Sequence, residues 1–215
     1  MVTKNEPTKK TLTIPPPQFQ VAEFCISGDA PYVQNKFSKK AKETMHDTQA
    51  EGSTAKKGKK REPKDFQDCF EGAQHKMDDG SNGIPAPSFR NAMIDACRMV
   101  GFQMTRAKCS IFVEADGFDV DDATPLVKIT KGSPEYFETT VRLQASTTDL
   151  RVRAKWQPGW EAVVRVRFDM DQFTLEDVAN LLMRAGQQVG IGEGRPFSRN
   201  SAGQGWGLFT IKETV

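Results

Sequence analysis

Regular alternation between apolar and polar residues in the C-terminal third constrains the fold more than any other feature of this chain. Apolar residues occupy every second position from Leu150 to Trp156, with arginine or lysine between them, and the alternation resumes at Trp160 after a Gln-Pro-Gly turn. A period of two is typical of β-strands that bury one face. The pattern therefore predicts two strands, over residues 150–156 and 160–169, that pair as a hairpin across the three-residue turn.

The predicted hairpin has one apolar face and one basic face. Directly opposed residues of antiparallel strands share a face, so pairing Trp156 with Trp160 also places Arg151 opposite Arg165. Like charges in this arrangement destabilise a sheet, and an anionic ligand over the face would remove the repulsion. The alternative is a solvated outer face whose charges are screened by water and salt. The arginines of this face are Arg151, Arg153, Arg165 and Arg167.

Apolar residues at helical spacing predict two main helices. The first covers residues 88–99, with Ser88 as its N-cap and Gly101 just beyond its end. The second begins at Thr174 and ends at Gly186, since glycine is common where helices stop. Further strand patterns cover residues 19–26, 110–114, 126–129, 137–143 and 209–212. This order predicts an α+β fold with a largely antiparallel sheet, and a ferredoxin-like (RRM-like) core fits it.

Two polar segments are expected to lie outside the packed core. Hydrophobic residues make up only 37% of the chain, so part of it cannot contribute to a core. Residues 1–17 end in three prolines and are predicted to form a flexible tail. Residues 39–64 are rich in lysine, and their second half has almost no large apolar side chain to offset the entropy of ordering. We therefore predict a single domain over 18–215 that contains a long, basic and mobile insertion.

A glycine-rich segment follows the second predicted helix. Seven of the 17 glycines fall within residues 186–207. Glycine permits positive φ and close backbone approach, so successive N–H groups of such a loop can cradle a phosphate. The spacing matches neither a P-loop nor a dinucleotide-binding fingerprint, and the alternative is a glycine-kinked segment packed against the sheet. The residues of the phosphate hypothesis are Gly190, Gly192 and Gly194, followed by Arg195 and Arg199.

Patterns typical of catalytic or metal sites are weak in this sequence. No serine or cysteine has a visible base partner, and the four cysteines form no C-x-x-C pair. We therefore expect no cofactor and no bound metal, and a reduced, cytoplasmic protein. The acidic segment from Asp65 to Asp79, which includes His75, is the part of the chain that a nuclease could use. The acidic residues of 114–122 lack the spacing of an EF-hand and are predicted to form a solvated turn.

Two segments of the chain resemble motifs of a known family. Residues 83–92 read G-I-P-A-P-S-F-R-N-A, and residues 190–196 with 203–209 form a glycine-rich loop that leads into a strand. Both are similar to segments of the RAMP superfamily, the proteins that form the RNA-binding backbones of CRISPR effector complexes. The resemblance implies a ferredoxin-like core that grips the backbone of single-stranded RNA, often in a head-to-tail array. It also implies that Ser88 and Arg90 of the first motif lie near phosphate, and a short, stand-alone phage or prophage protein fits the chain better than a standard effector subunit.

The sequence therefore predicts a binding protein rather than an enzyme, which contacts RNA or another single-stranded nucleic acid through the backbone phosphates of the ligand. Homo-oligomers or the subunits of an effector complex are further candidate partners. A membrane partner is not expected, because no apolar run approaches the ~20 residues that span a bilayer. The predicted nucleic-acid contacts are Lys36, Ser88, Arg90, Arg151, Arg153, Arg165, Arg167, Gly190, Gly192, Gly194, Arg195 and Arg199.

Two other functions are compatible with the same residues. The first is a metal-dependent endoribonuclease that uses the acidic segment from Asp65 to Asp79. The second is a phage structural or interaction protein that acts on a host complex and has lost affinity for nucleic acid. A divalent-metal requirement for RNA cleavage would identify the first, and salt-insensitive behaviour without affinity for polynucleotide would identify the second.

Overall fold

The computed structural model describes residues 14–37, 39–50, 64–142, 148–198 and 203–212. The strands in these ranges are β1 (Phe19–Gly28), β2 (Tyr32–Gln34), β3 (Gly83–Pro85), β4 (Ile111–Val113), β5 (Gly117–Phe118), β6 (Pro125–Lys131), β7 (Glu135–Arg142), β8 (Thr148–Trp156), β9 (Glu161–Asp169) and β10 (Phe209–Ile211). The helices are α1 (Lys39–Ala50), α2 (Phe66–Gly72), α3 (Ala86–Met99), α4 (Met104–Ser110) and α5 (Leu175–Arg184), and a π-helical turn over Ala185–Val189 continues α5.

The strands form two antiparallel sheets, which confirms the predicted α+β class. The large sheet has the order β10-β1-β9-β6-β3, with β4 also paired to β9 and β5 paired to β6. The small sheet has the order β2-β8-β7. Every one of these strand pairs is antiparallel.

One face of the large sheet is buried under α3 and α5, and the other, which we call the open face, is exposed among the described residues. Alternate residues of β1 and β9, including Phe24 and Val164, join the hydrophobic core with Phe89 of α3 and Leu182 of α5. Successive side chains of a strand point to opposite faces, so the intervening residues of β1 lie on the other side. One of them, Val21, is 43% exposed. The open face is therefore formed by the central strands of the sheet.

The predicted hairpin over residues 150–169 is wrong, because β8 and β9 belong to different sheets. Strand β9 pairs with β1, whose Gly28 N–H donates to the Trp160 carbonyl at 2.8 Å, whereas β8 pairs with β7 and β2. Trp156 and Trp160 do not face each other across a hairpin. Each is buried, with its ring centroid 5.5 Å from that of Tyr32. Alternation reports that a strand has a buried face, but it does not report which strand lies beside it.

The consequence of this topology is that the arginines are separated. Arg151 is opposite Thr139 in the small sheet, whereas Arg165 is opposite Glu23 in the large sheet. The predicted opposition of Arg151 and Arg165 is therefore wrong, and with it the repulsion that an anion was expected to relieve. The four arginines of the predicted basic face belong to two sheets rather than to one face.

The two predicted main helices are present, but their ends differ from the prediction in informative ways. Helix α3 begins at Ala86 with Pro85 in the N-cap position, so Ser88 lies inside the first turn and is not the N-cap. Proline is tolerated there because the first N–H groups of a helix have no intrahelical partner. Helix α5 is confirmed from its start, where Thr174 and Asp177 form a reciprocal capping box.

Helix α5 ends at Arg184 with Ala185 as its C-cap, so Gly186 follows it directly, as predicted, but the chain continues as a π-helical turn. Gly186 lies within the π-helical turn, and the helical path stops at Gly190, whose φ is +75°. A Cβ atom at position 186 would lie 2.2 Å from the Phe209 carbonyl oxygen, so this glycine permits close packing against β10.

Part of the segment that was expected to be a mobile insertion forms helix α1, and Asp65 caps α2 by accepting from the N–H groups of Gln67 and Asp68. Residues 51–63 of that segment, residues 1–13 of the expected tail, and Arg199 lie outside the described residues. The single-domain arrangement stays a prediction. Among the described helices, none is both long and apolar enough to cross a membrane.

Candidate nucleic-acid interface

The glycine-rich loop is held by hydrogen bonds within the protein. Its amides at Gly190, Ile191 and Glu193 donate to the carbonyls of residues 185, 207 and 33 at 2.8–3.0 Å. Gly192 has a φ of +74°, and a Cβ atom there would lie 2.7 Å from the Val33 carbonyl oxygen. These contacts favour the alternative in which the glycines permit close packing rather than form a phosphate cradle.

Two of the predicted phosphate-binding arginines hold this loop in place. Arg153, which is only 2% exposed, donates from Nη2 to Oε1 of Glu193 at 2.8 Å and from Nε to Oε2 of the same carboxylate. Arg195 donates from Nη1 to the Gly192 carbonyl at 3.0 Å. A bidentate, charge-assisted pair of this kind fixes geometry as well as adding energy. Arg153 therefore connects β8 to the loop.

Lys36 lies in a buried polar cluster. Its Nζ is 2.6 Å from Oδ1 of Asp119 and 2.6 Å from Oδ2 of Asp121, and Nδ1 of His75 is 2.8 Å from Oδ2 of Asp119. Burial disfavours the charge on Lys36, but its bonds to the two carboxylates outweigh burial and hold its pKa above the usual value. Burial likewise opposes the Asp119 charge, but the hydrogen bonds from Lys36, the Asp121 backbone and His75 together outweigh it, and the pKa of Asp119 is lowered. Burial is the main reason why the pKa of His75 is lowered.

The same cluster contains the atoms nearest to a metal-binding arrangement in the described part of the chain. Ligand atoms of His75, Asp119 and Asp122 all lie within 4.8 Å of one another. The Lys36 ammonium already supplies a cation to Asp119, and Nζ of Lys42 lies 2.7 Å from Asp122. The carboxylates are thus neutralised by lysines, and the cluster is an ion-pair network that is buried at Lys36 and Asp119 and exposed at Lys42.

The acidic segment that the nuclease hypothesis invoked has contacts of its own. Asp65 caps α2, and Asp79 accepts from Lys128 Nζ at 2.7 Å. His75 turns away from this segment and contacts Asp119. His75 and Asp119 are 44 residues apart in the sequence, so local spacing could not indicate their contact.

Ser88 and Arg90 occupy the first turns of α3. The Arg90 guanidinium donates hydrogen bonds to the backbone of the segment that follows this helix. Its Nε donates to the Ile111 carbonyl at 2.9 Å and its Nη2 donates to the Lys108 carbonyl. These carbonyls end α4 and begin β4, where unpaired backbone acceptors are expected. Ser88 is half-buried. Arg90 and Arg195 thus contact different elements of the fold.

The open face of the large sheet carries the clearest ligand-directed arrangement. The guanidinium carbon of Arg167 lies 5.0 Å from the ring centroid of Phe19 and 4.9 Å from that of Phe112. The two rings are 5.9 Å apart and meet edge to face at 64°. Phe112 and Val21 flank Arg167 directly, because β4 and β1 pair with β9 at that position. We call Phe19, Phe112 and Arg167 the aromatic–arginine cluster.

Arg167 differs from the other cations near this face in what surrounds its guanidinium. Arg90 also contacts Phe112, with its guanidinium carbon 5.3 Å from the ring centroid, but its donors bond backbone carbonyls. Arg165 donates to Oδ1 of Asp116, and both Lys131 and Lys212 lie 2.9 Å from Glu161. The guanidinium of Arg167 instead contacts aromatic rings, and its side chain is exposed. Cation–π contact orients a guanidinium without neutralising it, so its donors stay available to an anion.

Arg151 lies apart from this face, in a groove of about 300 Å³ between α2 and β8. Lys64 and Phe66 also line the groove. Lys64 Nζ is 2.6 Å from Asp149, and Arg151 contributes to lowering the pKa of the same carboxyl group, although Lys64 is the larger cause. Asp149 therefore partly neutralises the positive charge of Lys64 and Arg151 in this groove.

Sequence reasoning identified Arg167 but missed both rings of the cluster. A signal existed in β1, which has apolar residues on both of its faces: Phe24 and Ile26 on the core side, and Phe19 and Val21 on the open side. A strand with one solvated face would show polar residues there. Phe112 could not be found in this way, because its position beside Arg167 depends on the pairing of β4 with β9.

Comparison with known proteins adds no assignment to this geometry. No protein-family model matches the chain, and no curated protein matches it.

Proposed function

We propose that this protein binds single-stranded nucleic acid, with RNA as the expected ligand, on the open face of its large sheet. The observation that carries the proposal is the exposed guanidinium of Arg167 between the rings of Phe19 and Phe112. Unpaired bases stack on aromatic side chains, and arginine binds the phosphates between them. A duplex hides the faces of its bases, so this cluster suits a single strand.

The order of elements supports a ferredoxin-like core beneath this face. With the other strands and helices between them left out, the chain order of six elements matches the βαββαβ order of that core: β1, α3, β6, β9, α5 and β10. The strand order β10-β1-β9-β6 puts β1 and β9 in the centre. Proteins with an RRM-like sheet bind two or three bases on this face. We include in the proposal the expected kinship with the RAMP superfamily and the cytoplasmic location.

We propose fewer contacts to phosphate than the sequence predicts. Lys36 and Arg153 bind carboxylates in the interior, and Arg90 binds backbone carbonyls. Arg167 is the principal phosphate contact, and the two rings provide the affinity for bases. Binding should therefore depend only moderately on salt, since each phosphate contact contributes ~0.7 to the slope of log K against log salt for a single strand.

Titration of labelled oligonucleotides with matched variants tests this proposal. Fluorescence anisotropy is measured for single-stranded RNA, single-stranded DNA and duplex over a series of salt concentrations. Arg167→Gln should flatten the salt slope by ~0.7. Phe112→Leu should weaken binding by about 5- to 150-fold, because stacking on an aromatic ring contributes ~1–3 kcal/mol per base. Parent-like thermal unfolding of each variant excludes a loss of fold.

Arg184→Gln is the matched control, because Arg184 is an exposed arginine of α5, on the helical side of the sheet. It should bind with the affinity and slope of the parent. Equal binding by Arg167→Gln, Arg184→Gln and the parent would contradict the proposal, as would duplex binding that matches single-strand binding.

A further inference from the structure

The geometry points to a nucleobase pocket beside Phe19, which takes one unstacked base of the bound strand and prefers guanine. This inference rests on the proposed function, because the pocket adjoins the aromatic–arginine cluster. The cavity has a volume of about 570 Å³ and lies between the start of β1, helix α4 and the loop after β9. Its lining includes Phe19, Thr105, Arg106, Cys109, Asp169 and Gln172.

Phe19 connects the cavity to the proposed binding face. Its ring lies 5.0 Å from the Arg167 guanidinium carbon, and the same side chain forms a wall of the cavity. A strand whose phosphate contacts Arg167 can therefore turn one base past Phe19 without leaving the sheet. The side chain is 39% exposed, which leaves ring surface for stacking.

The charges at the cavity select a base rather than a phosphate. Asp169 is opposite Phe19 in the register of β1 and β9, and it is 8% exposed. Its Oδ1 accepts from the Asp171 N–H at 3.1 Å. A carboxylate at the wall repels a phosphate group, whereas it accepts hydrogen bonds from the N–H groups of a base.

A donor group in the lining of the same cavity completes the selection. Arg106 donates to the side-chain oxygen of Gln172, and its guanidinium carbon lies 5.7 Å from the ring centroid of Phe102. These two contacts hold a planar donor group in the lining of the cavity. Guanine presents the acceptor pair O6 and N7, which arginine recognises, together with N–H groups that suit a carboxylate. Arg106 and Asp169 supply both kinds of partner.

Two native cysteines allow the pocket to be tested separately from the sheet face. Cys109 is exposed and lines the cavity, whereas Cys25 is exposed on β1, opposite Val163. The rate of alkylation of each thiol is measured by mass spectrometry of the full-length protein. A guanine-containing single-stranded oligonucleotide should slow the alkylation of Cys109 at least tenfold. Inorganic polyphosphate, which has the charge but no bases, should leave that rate unchanged.

The alkylation outcomes separate the two proposals. Protection of Cys25 and measurable binding, together with an unchanged rate at Cys109, would overturn the pocket and leave the proposed function intact. Equal protection of Cys109 by polyphosphate would also overturn it, because the occupant would then be a phosphate. A parent protein that binds no oligonucleotide would overturn the proposed function itself.

Substitution of the pocket arginine tests the base preference. The parent should bind a guanine-rich strand more tightly than strands of the other bases, and Arg106→Met should reduce this preference about tenfold, within the range of a good arginine–guanine pair. The salt slope should not change. Lys108→Met, an exposed cation in the same helix, is the control and should keep the preference. An unchanged preference in Arg106→Met, or a slope flattened by ~0.7, would contradict the assignment.

Discussion

Lys36 and Asp119 form an ion pair in the interior of the protein, with Nζ of the lysine 2.6 Å from Oδ1 of the aspartate. The two side chains are 3% and 0% exposed, so neither charge is stabilised by bulk water. His75 and Asp121 complete the network and connect it to two loops. A lysine that reads as a surface cation in the sequence thus stabilises the interior.

We expect Lys36→Met to destabilise the protein by ~3–5 kcal/mol, because it leaves the buried Asp119 charge without its cation. Urea denaturation measures the free energy of unfolding. Lys42→Met is the control, since Lys42 pairs with Asp122 at the same distance to within 0.1 Å but is 41% exposed. The control should lose less than ~1 kcal/mol. Equal losses in the two variants would contradict the importance of burial.

The stability of the protein should fall as the pH drops below about 6.5. Burial is the main cause that lowers the pKa of His75 from its ordinary value of 6.5, so the unfolded chain binds a proton there before the folded chain does. The contribution of His75 is complete above the unfolded pKa and is lost as the pH falls towards the folded pKa. The pKa of Asp119 is also lowered. Its contribution to stability is therefore lost only at more acidic pH, below the unfolded pKa of 3.8.

His75→Asn isolates this effect, because the asparagine amide can donate to Asp119 but does not titrate. The decrease in the free energy of unfolding between pH 7 and pH 5 should be smaller in this variant than in the parent. His46→Asn, at a residue that is 84% exposed, should keep the full decrease. The explanation fails if His75→Asn and the parent show the same pH dependence.

Gly192→Ala should destabilise the protein more than Gly101→Ala, although both glycines have almost the same φ of +74° and +72°. A Cβ atom at Gly192 would lie 2.7 Å from the Val33 carbonyl and from the Tyr32 ring, whereas one at Gly101 meets nothing within 4 Å. Both variants lose ~1–2 kcal/mol to the left-handed backbone. The alanine at 192 should cost ~1–3 kcal/mol more through overpacking. Chemical denaturation that gives equal losses would show that the loop is not tightly packed.

Much of the local structure follows from the sequence, but the partners of each strand do not. The capping box of α5 and the strand character of β8 and β9 depend on neighbouring residues, so pattern and spacing predict them. The separation of β8 and β9 into two sheets depends on where β1 and β7 lie, which alternation does not encode. Helix α1 has few apolar residues and no clear apolar stripe, so its sequence resembles that of a mobile segment.

The candidate site shows the same division. Alternation along β9 correctly places Arg165 and Arg167 on one outer face. The contacts of Arg167 with Phe19 and Phe112 could not be predicted, because the three residues are distant in sequence and meet only in the folded sheet. Lys36 was expected to face a phosphate, and its internal carboxylate partners are more than 80 residues away.

Photocrosslinking to single-stranded RNA, followed by mass spectrometry of the crosslinked peptides, tests the central claim most directly. We expect crosslinks at Phe19 and Phe112, with both lost in the presence of excess unlabelled single strand and kept in the presence of excess duplex. Crosslinks confined to the glycine-rich loop over residues 190–195, or to the groove that Arg151 lines, would contradict the claim that the open sheet face binds the strand.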